Sequence, residues 1–492
     1  MGRLVVAATV AGWAIPIAAL VNSVVPEPYM DEIFHVPQAQ QYCRGDFLTW
    51  DPMITTPPGL YYVSLAYVAS FFPVAWMFRL AETFDVICST AALRSTNVVM
   101  AMVCAVLFHD LLLCIRPGIG ERKATIYAIL VALYPVHWFF TFLYYTDVAS
   151  LAAVLAMYLF CLKKQFWISA TFGAFSILFR QTNVIWIIFF AANGAISYIQ
   201  DLYPKDNVSQ ENIEATHQSN KVVSGRGNKT AAQGLRRRRI NSPISKKLVI
   251  SESSHLYSKE LRDICLKLWN SKCEVLIAFA PFAVVMMAFV AFIIWNGGIV
   301  LGAKEAHVVS PHFAQFLYFG LVSAAALLPW HFSPRRVLDL FHLSGKNKTC
   351  SFLAVLMGLG LSFVAVHFFR HYTFYIWRKV IQVNWLMKYM LIPLYVYSWF
   401  SIINILGKSQ TRVWVLSFVL SVMLVLVPAP LVEFRYYTIP FVIMVLHFPV
   451  IGNRKLLALG LLYAVADVFT LVMFLFRPFN WEHEPGTQRF MW

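Results

Sequence analysis

The chain has 492 residues, of which 59% are hydrophobic and only 13% charged, and its mean hydropathy is +0.63; no soluble globule can hide that much apolar surface. Its 40 Lys and Arg outnumber its 24 Asp and Glu for a formal charge of +16. That surplus sits in short loops flanking apolar runs, which argues against nucleic acid and follows the positive-inside pattern of membrane proteins.

The expected class is an all-α polytopic membrane protein, a single unit over residues 1–492, because only helices satisfy the backbone within a bilayer without closing a barrel. The first apolar run, Leu4 to Val25, follows Arg3 alone and has no small-residue cleavage site, so it is expected to be an anchor span. Residues 26–93 then form a first lumenal loop, provided that the aromatic-rich stretch Gly59 to Phe78 is an interfacial helix lying along the membrane surface. Counting it as a span would invert every later loop.

Further crossings are expected at 94–115, 125–142, 147–162, 166–179, 184–200, 273–295, 313–330, 350–367, 385–406, 411–428, 438–450 and 455–476, about 13 spans in all. This threading places Arg116/Arg122/Lys123, Lys163/Lys164, Arg335/Arg336/Lys346/Lys348, Lys408/Arg412 and Arg454/Lys455 on the cytoplasmic side. The loop 201–272, with fourteen Lys and Arg against seven Asp and Glu, joins them. Its polar composition reads as a disordered linker. Three N-x-S/T sequons, at Asn207, Asn228 and Asn347, fall in these cytoplasmic loops and are expected to stay unglycosylated. Eight cysteines, scattered without a C-x-x-C pair, imply neither zinc nor a disulfide framework.

Unusual side chains collect at the opposite edges. The first lumenal loop opens YMDEIFHVPQAQ, placing the adjacent carboxylates Asp31 and Glu32 near a membrane boundary, and continues through WDPMITTPPGLY. Other lumenal edges carry FLYYTD ending at Asp147, RQTN from Arg180, the histidines His307 and His312, RHYTFYIW from Arg370, and EFRYY from Glu433. Guanidinium groups pair bidentately with phosphate oxygens, so arginines here are candidate phosphate ligands. Arg180, between two apolar runs, is the most informative, since an ionisable residue held so near a span is a functional candidate by default. His307 and His312, five apart, do not lie on one helical face, and His367 and His371 do so without a third ligand. Neither a metal nor another cofactor is expected.

These motifs, in this order from Tyr29 to about Pro440, resemble those of the eukaryotic dolichyl-phosphate-glucose-dependent alpha-1,2-glucosyltransferases. The resemblance implies the GT-C fold of lipid-phosphate-sugar glycosyltransferases, an endoplasmic-reticulum membrane location with a lumenal active site, and a catalytic acid in the first lumenal loop. It implies dolichyl phosphate glucose as donor, the dolichyl-diphosphate-linked oligosaccharide as acceptor, and the lipid bilayer as surroundings. The donor's beta linkage and the product's alpha linkage imply inversion, which needs one general base. Asp31 is the first candidate base and Glu32 the second. Arg180, Arg370, His371 and Arg435 are candidate donor-phosphate ligands, with His35, Asp51, Tyr145, Asp147, Gln181, Asn183, His307, His312, Tyr372 and Glu433 as candidate substrate contacts. Two departures from the family pattern stand out: Ala303 follows Gly302 where an acid is usual, and the stretch before Arg370 is shortened to HFF. A mannosyltransferase of the same fold and a polytopic transporter are the rival readings, although no inverted repeat supports the latter.

Overall fold

The computed structural model describes residues 1–79, 83–203, 262–305, 311–332, 357–360, 362–363, 389–429, 431–481 and 484–490. Arg370, His371, Tyr372, His307, the three sequons, most of the basic loop and most of the expected span 350–367 lie outside the described residues. Contacts divide the chain into two units, Met1–Asn193 with Ala278–Trp492, and Gly194–Ile277. In the second unit, the Tyr203 and Ser271 hydroxyls lie 2.9 Å apart. The polar cluster formed by Asp31, Arg180 and Arg435 belongs to the first unit.

Five helices among the described residues are long and apolar enough to cross a membrane: Gly2–Val24, Thr90–Ile115, Gln181–Leu202, Lys272–Asn296 and Asn453–Phe476. Shorter apolar helices include Thr146–Leu162, Phe166–Phe179, Phe313–Ala326, Ile392–Leu406 and Arg412–Leu426. The chain is thus a helical membrane protein. A small antiparallel hairpin, Phe479–Trp481 with Glu484–Gln488, is added after the last long helix and departs from the all-α expectation.

Proline breaks two of the expected spans. Residues 125–142 form Glu121–Ala132 and Pro135–Phe140, because Pro135 has no N–H to continue the ladder and starts a helix of its own. Likewise 313–330 divides into Phe313–Ala326 and the turn Leu328–His331 around Pro329. The stretch read as an interfacial helix is helical over Gly59–Met77.

Thr146–Leu162 is the central element, buried at nearly every position and packed between Thr90–Ile115 and Phe166–Phe179. Gly2–Val24 lies against Thr90–Ile115 and Glu121–Ala132. The second side of the core joins Phe313–Ala326 to Ile392–Leu406, where a Cβ on Gly320 would strike the Trp399 indole, whose N–H donates to Phe316 O at 2.9 Å. By contrast Asn453–Phe476 turns Leu457, Leu461, Val465, Val468 and Phe469 outward, a stripe suited to lipid.

The first loop is covalently tied. Cys43 and Cys88 form a disulfide, which corrects the expectation of none; the two cysteines are 45 residues apart and come together only when Glu32–Cys43 folds back beside Gly59–Met77. The same loop receives Leu301–Ala303, whose N–H groups donate to Thr55 O and Pro52 O. Gly302 is required there, since a Cβ would collide with the carbonyl oxygens of Pro52 and Ile54.

Candidate active site

Four segments converge on one polar cluster, and each is a helix end. The first is the turn before Glu32–Cys43. Met30 adopts φ 54°, in the left-handed region that costs an ordinary side chain about 1–2 kcal/mol, and the reversal delivers Asp31 as the residue preceding the helix. The second is the start of Thr146–Leu162, with Tyr145 before it and Asp147 in its first turn, where the helix dipole favours an anion. The third is Arg180, which ends Phe166–Phe179 in an extended conformation. The fourth is the 3-10 turn Phe434–Tyr437 with Glu433 leading into it. Gln315 secures that last segment by donating to the carbonyls of Ala429 and Leu431.

Arg435 sits at the centre. Its Nη1 donates to Asp31 Oδ2 at 2.7 Å, its Nε is hydrogen-bonded to Glu433, and its guanidinium lies 5.2 Å from the Tyr145 ring centre and 5.7 Å from that of Tyr436. The second arginine joins through the same tyrosine: Arg180 stands 4.8 Å over the Tyr436 ring. Its Nη2 is 3.1 and 3.2 Å from the Asp147 carboxylate oxygens, and its Nε is 3.3 Å from Thr146 Oγ1. Tyr145 completes the group, its hydroxyl accepting the Asp31 backbone N–H at 3.2 Å.

Exposure separates the carboxylates. Asp31 is 40% exposed, Glu433 25% and Asp147 6%, so Asp31 is the acid most open to an incoming hydroxyl. Burial favours its neutral form, but Arg435 by charge and by hydrogen bond, helped by His35 and Arg180, holds the carboxyl below its ordinary value. Burial pushes the His35 imidazole down to about 4 against the pull of Asp31, so this ring is neutral at physiological pH. Its Nδ1 is 2.6 Å from the Tyr61 hydroxyl. Although burial works against the charge of Arg435, Glu433 and Asp31 hold that guanidinium firmly protonated.

Of the residues singled out from sequence, the structure brings together Asp31, Tyr145, Asp147, Arg180, Glu433 and Arg435, with His35 close enough to feel their charges. Glu32 is set apart. It is fully buried and its carboxylate pairs bidentately with Arg94, at 2.8 and 2.6 Å. Asp51 donates its N–H to Gln38 Oε1 and accepts from Met53 N within a turn. The Gln181 amide donates to Thr55 O, and Asn183 Nδ2 donates to Ser150 Oγ and Ser176 O, so both side chains are engaged in holding segments together. His312 donates its backbone N–H to Val427 O at the other end of the loop that carries Glu433. Two contributors escaped the sequence reading. Tyr436 stood inside the EFRYY motif beside the residues that were chosen, and Arg94 stood at the first position of the expected span 94–115. No group of three His, Cys, Asp or Glu suited to a metal occurs among the described residues.

The sequence profile of the DIE2/ALG10 family matches residues 25–446. A protein of Arabidopsis thaliana named Dol-P-Glc:Glc(2)Man(9)GlcNAc(2)-PP-Dol alpha-1,2-glucosyltransferase is 49% identical over the full length of both chains. Proteins of the same name from Homo sapiens and Rattus norvegicus are 32% and 33% identical, each over 95% of this chain and 93% of the relative. No solved structure matches significantly.

Proposed function

The chain belongs to the DIE2/ALG10 family, and from that premise we propose that it transfers glucose from dolichyl phosphate glucose, in alpha-1,2 linkage, to a diglucosylated lipid-linked oligosaccharide. The shared name of its relatives supports the donor and the acceptor. The observation that carries the chemistry is the contact of an accessible carboxylate, Asp31, with a guanidinium 404 residues away, Arg435, at 2.7 Å.

In this mechanism Asp31 is the general base. It takes the proton of the acceptor hydroxyl as that oxygen bonds to the anomeric carbon, while the bond from that carbon to the donor phosphate breaks and its electron pair leaves with dolichyl phosphate. A beta-linked donor attacked on the opposite face gives the alpha product. The departing phosphate needs no proton if cations stabilise its charge, and Arg435 and Arg180 supply them, with Arg370 and His371 as further candidates. Arg435 is held by Asp31 and Glu433 together. A donor phosphate that takes over the Nη1 contact releases Asp31 from the partner that keeps its carboxyl acidic, and so makes it a stronger base when the donor is in place. Glu32 is not the base in this reading, since both its oxygens are engaged in hydrogen bonds.

We also read the fold as GT-C with about 13 spans, in the endoplasmic-reticulum membrane with the site on the lumenal face. The Cys43–Cys88 bond supports this side, because it lies in the loop that carries Asp31 and disulfides persist in oxidising compartments. Purified protein offered radiolabelled dolichyl phosphate glucose or dolichyl phosphate mannose, with mono- or diglucosylated acceptor, tests the assignment. Label is expected only in the product of the glucose donor with the diglucosylated acceptor. Transfer of mannose, or transfer to neither acceptor, would overturn it.

A further inference from the structure

We propose that Arg94 is a positioning residue for the transfer, setting the place of Asp31 through Glu32. Arg94 lies in the helix Thr90–Ile115 at 1% exposure. A guanidinium has five N–H donors, and here five acceptors meet them. Nε and Nη2 hold Glu32 Oε1 and Oε2 at 2.8 and 2.6 Å. Nη1 donates to Asn22 Oδ1 at 3.0 Å and Val25 O at 2.6 Å, and Nη2 also to Glu27 O at 3.1 Å. The carboxylate is equally occupied: besides Arg94 it accepts the N–H of Tyr144 at 2.6 Å and that of Tyr29 at 3.1 Å.

A pair this saturated offers nothing to a substrate. What it does is tie three strands of chain at one point: the end of the first helix, the turn 25–32, and the segment before Thr146–Leu162. Both carriers of the site pass through it. Asp31 is the residue next to Glu32, and Tyr145, which accepts the Asp31 N–H and lies beneath Arg435, is the residue next to Tyr144. The left-handed Met30 stands between two of the clamped groups, Tyr29 and Glu32, and such a conformation persists only where its surroundings over-determine it. A buried ion pair is weak evidence for stability, because desolvation offsets much of the attraction. Its value here is geometric. Lysine would keep the charge but cannot reach five acceptors with three donors on one atom.

The proposal rests on the reading of Asp31 as the base, and the test keeps the two apart. Arg94→Lys, and the charge-free pair Glu32→Gln with Arg94→Gln, are each made with Asp31 present and in an Asp31→Asn background. Transfer is followed in proteoliposomes with both substrates varied. A misplacement of about 1 Å costs on the order of 10²-fold in rate, so kcat should fall by roughly 10- to 100-fold with Asp31 present, with the KM of either substrate changed by less than about threefold. In the Asp31→Asn background the further loss should be below about threefold, because there is no base left to misplace. Native kcat in both variants, an equal loss in both backgrounds, or failure of both variants to fold would overturn the proposal, the last because Arg94 would then be a stability element only. Undiminished transfer by Asp31→Asn alone would instead sink the reading of the base.

Discussion

Replacing Arg435 with Gln removes one charge from the centre of the site and tests how the base and the phosphate ligand are linked. The native guanidinium bonds Asp31 at 2.7 Å and Glu433 through Nε, lies over the Tyr145 and Tyr436 rings, and is 13% exposed. A hydrogen bond to a charged group is worth about 1.5–3 kcal/mol, so loss of the phosphate contact should lower kcat/KM by roughly 10- to 150-fold. The pH profile carries the sharper signature. In the native enzyme Arg435 keeps the Asp31 carboxyl below its ordinary value, so the base stays ionised through the working range and the acid side of the profile is flat there. Without Arg435, burial prevails and moves the carboxyl upward; the ionised fraction then declines as pH falls, and an acid limb climbs into the measurable range. The same sign governs stability. A depressed carboxyl stabilises the fold above its unfolded value and loses that contribution as pH falls through the folded value, so the variant should lose less stability on acidification. Initial rates of glucose transfer between about pH 4.5 and 8, spanning the range in which a carboxylate and its neighbours titrate, would show the limb. A profile parallel to the native one, with kcat/KM within about threefold, would refute the linkage.

Arg180→Lys keeps the charge but loses the planar group that places Nη2 on Asp147, Nε on Thr146 and the ring stack on Tyr436 together, so kcat/KM should fall about tenfold or more for each charged hydrogen bond lost, with thermal stability little changed; native kinetics would make Arg180 an interfacial anchor. Cys43→Ser with Cys88→Ser opens a loop with a sequence separation of 45 and should cost about 2–4 kcal/mol, read as a lower thermal midpoint that a reducing agent reproduces in the native protein; an unchanged midpoint would argue against the bond. Met30→Gly should preserve folding and transfer, whereas Met30→Val, branched at a positive φ, should destabilise the turn by more than the roughly 1–2 kcal/mol already borne there. Equal behaviour of the two Met30 variants would mean that the left-handed turn is dispensable.

Much of the fold could be read from local chemistry. The expected span 166–179 coincides with the helix Phe166–Phe179 because Lys163, Lys164 and Gln165 bound it on one side and Arg180 on the other. Residues 147–162 differ by one position from Thr146–Leu162. Hydropathy alone passed over the breaks at Pro135 and Pro329, since an average over a window is insensitive to a missing N–H. The site was legible as a set of charges at helix ends, not as a geometry. Nothing in an apolar pattern says which helices become neighbours, so the pairing of Asp31 with Arg435 across 404 residues could not be deduced. For the same reason Glu32 and Asp31 looked alike as neighbours in sequence, although one is 40% exposed and the other is sealed against Arg94. Cys43 and Cys88 were passed over because their spacing matches no short motif; their pairing depends on a fold-back of Glu32–Cys43 that only tertiary structure supplies.

The most direct test of the account is the rate of a single turnover by Asp31→Asn, with saturating dolichyl phosphate glucose and diglucosylated acceptor. A positioned general base contributes about 10² to 10⁴ in rate, and asparagine preserves size and much of the hydrogen bonding, so turnover should fall by at least that order. Donor binding, measured separately, should weaken little, because the carboxylate acts on the acceptor hydroxyl. Glucose transfer at a near-native rate would contradict the account, and would move the search for the base to Asp147 and Glu433, the other carboxylates of the cluster.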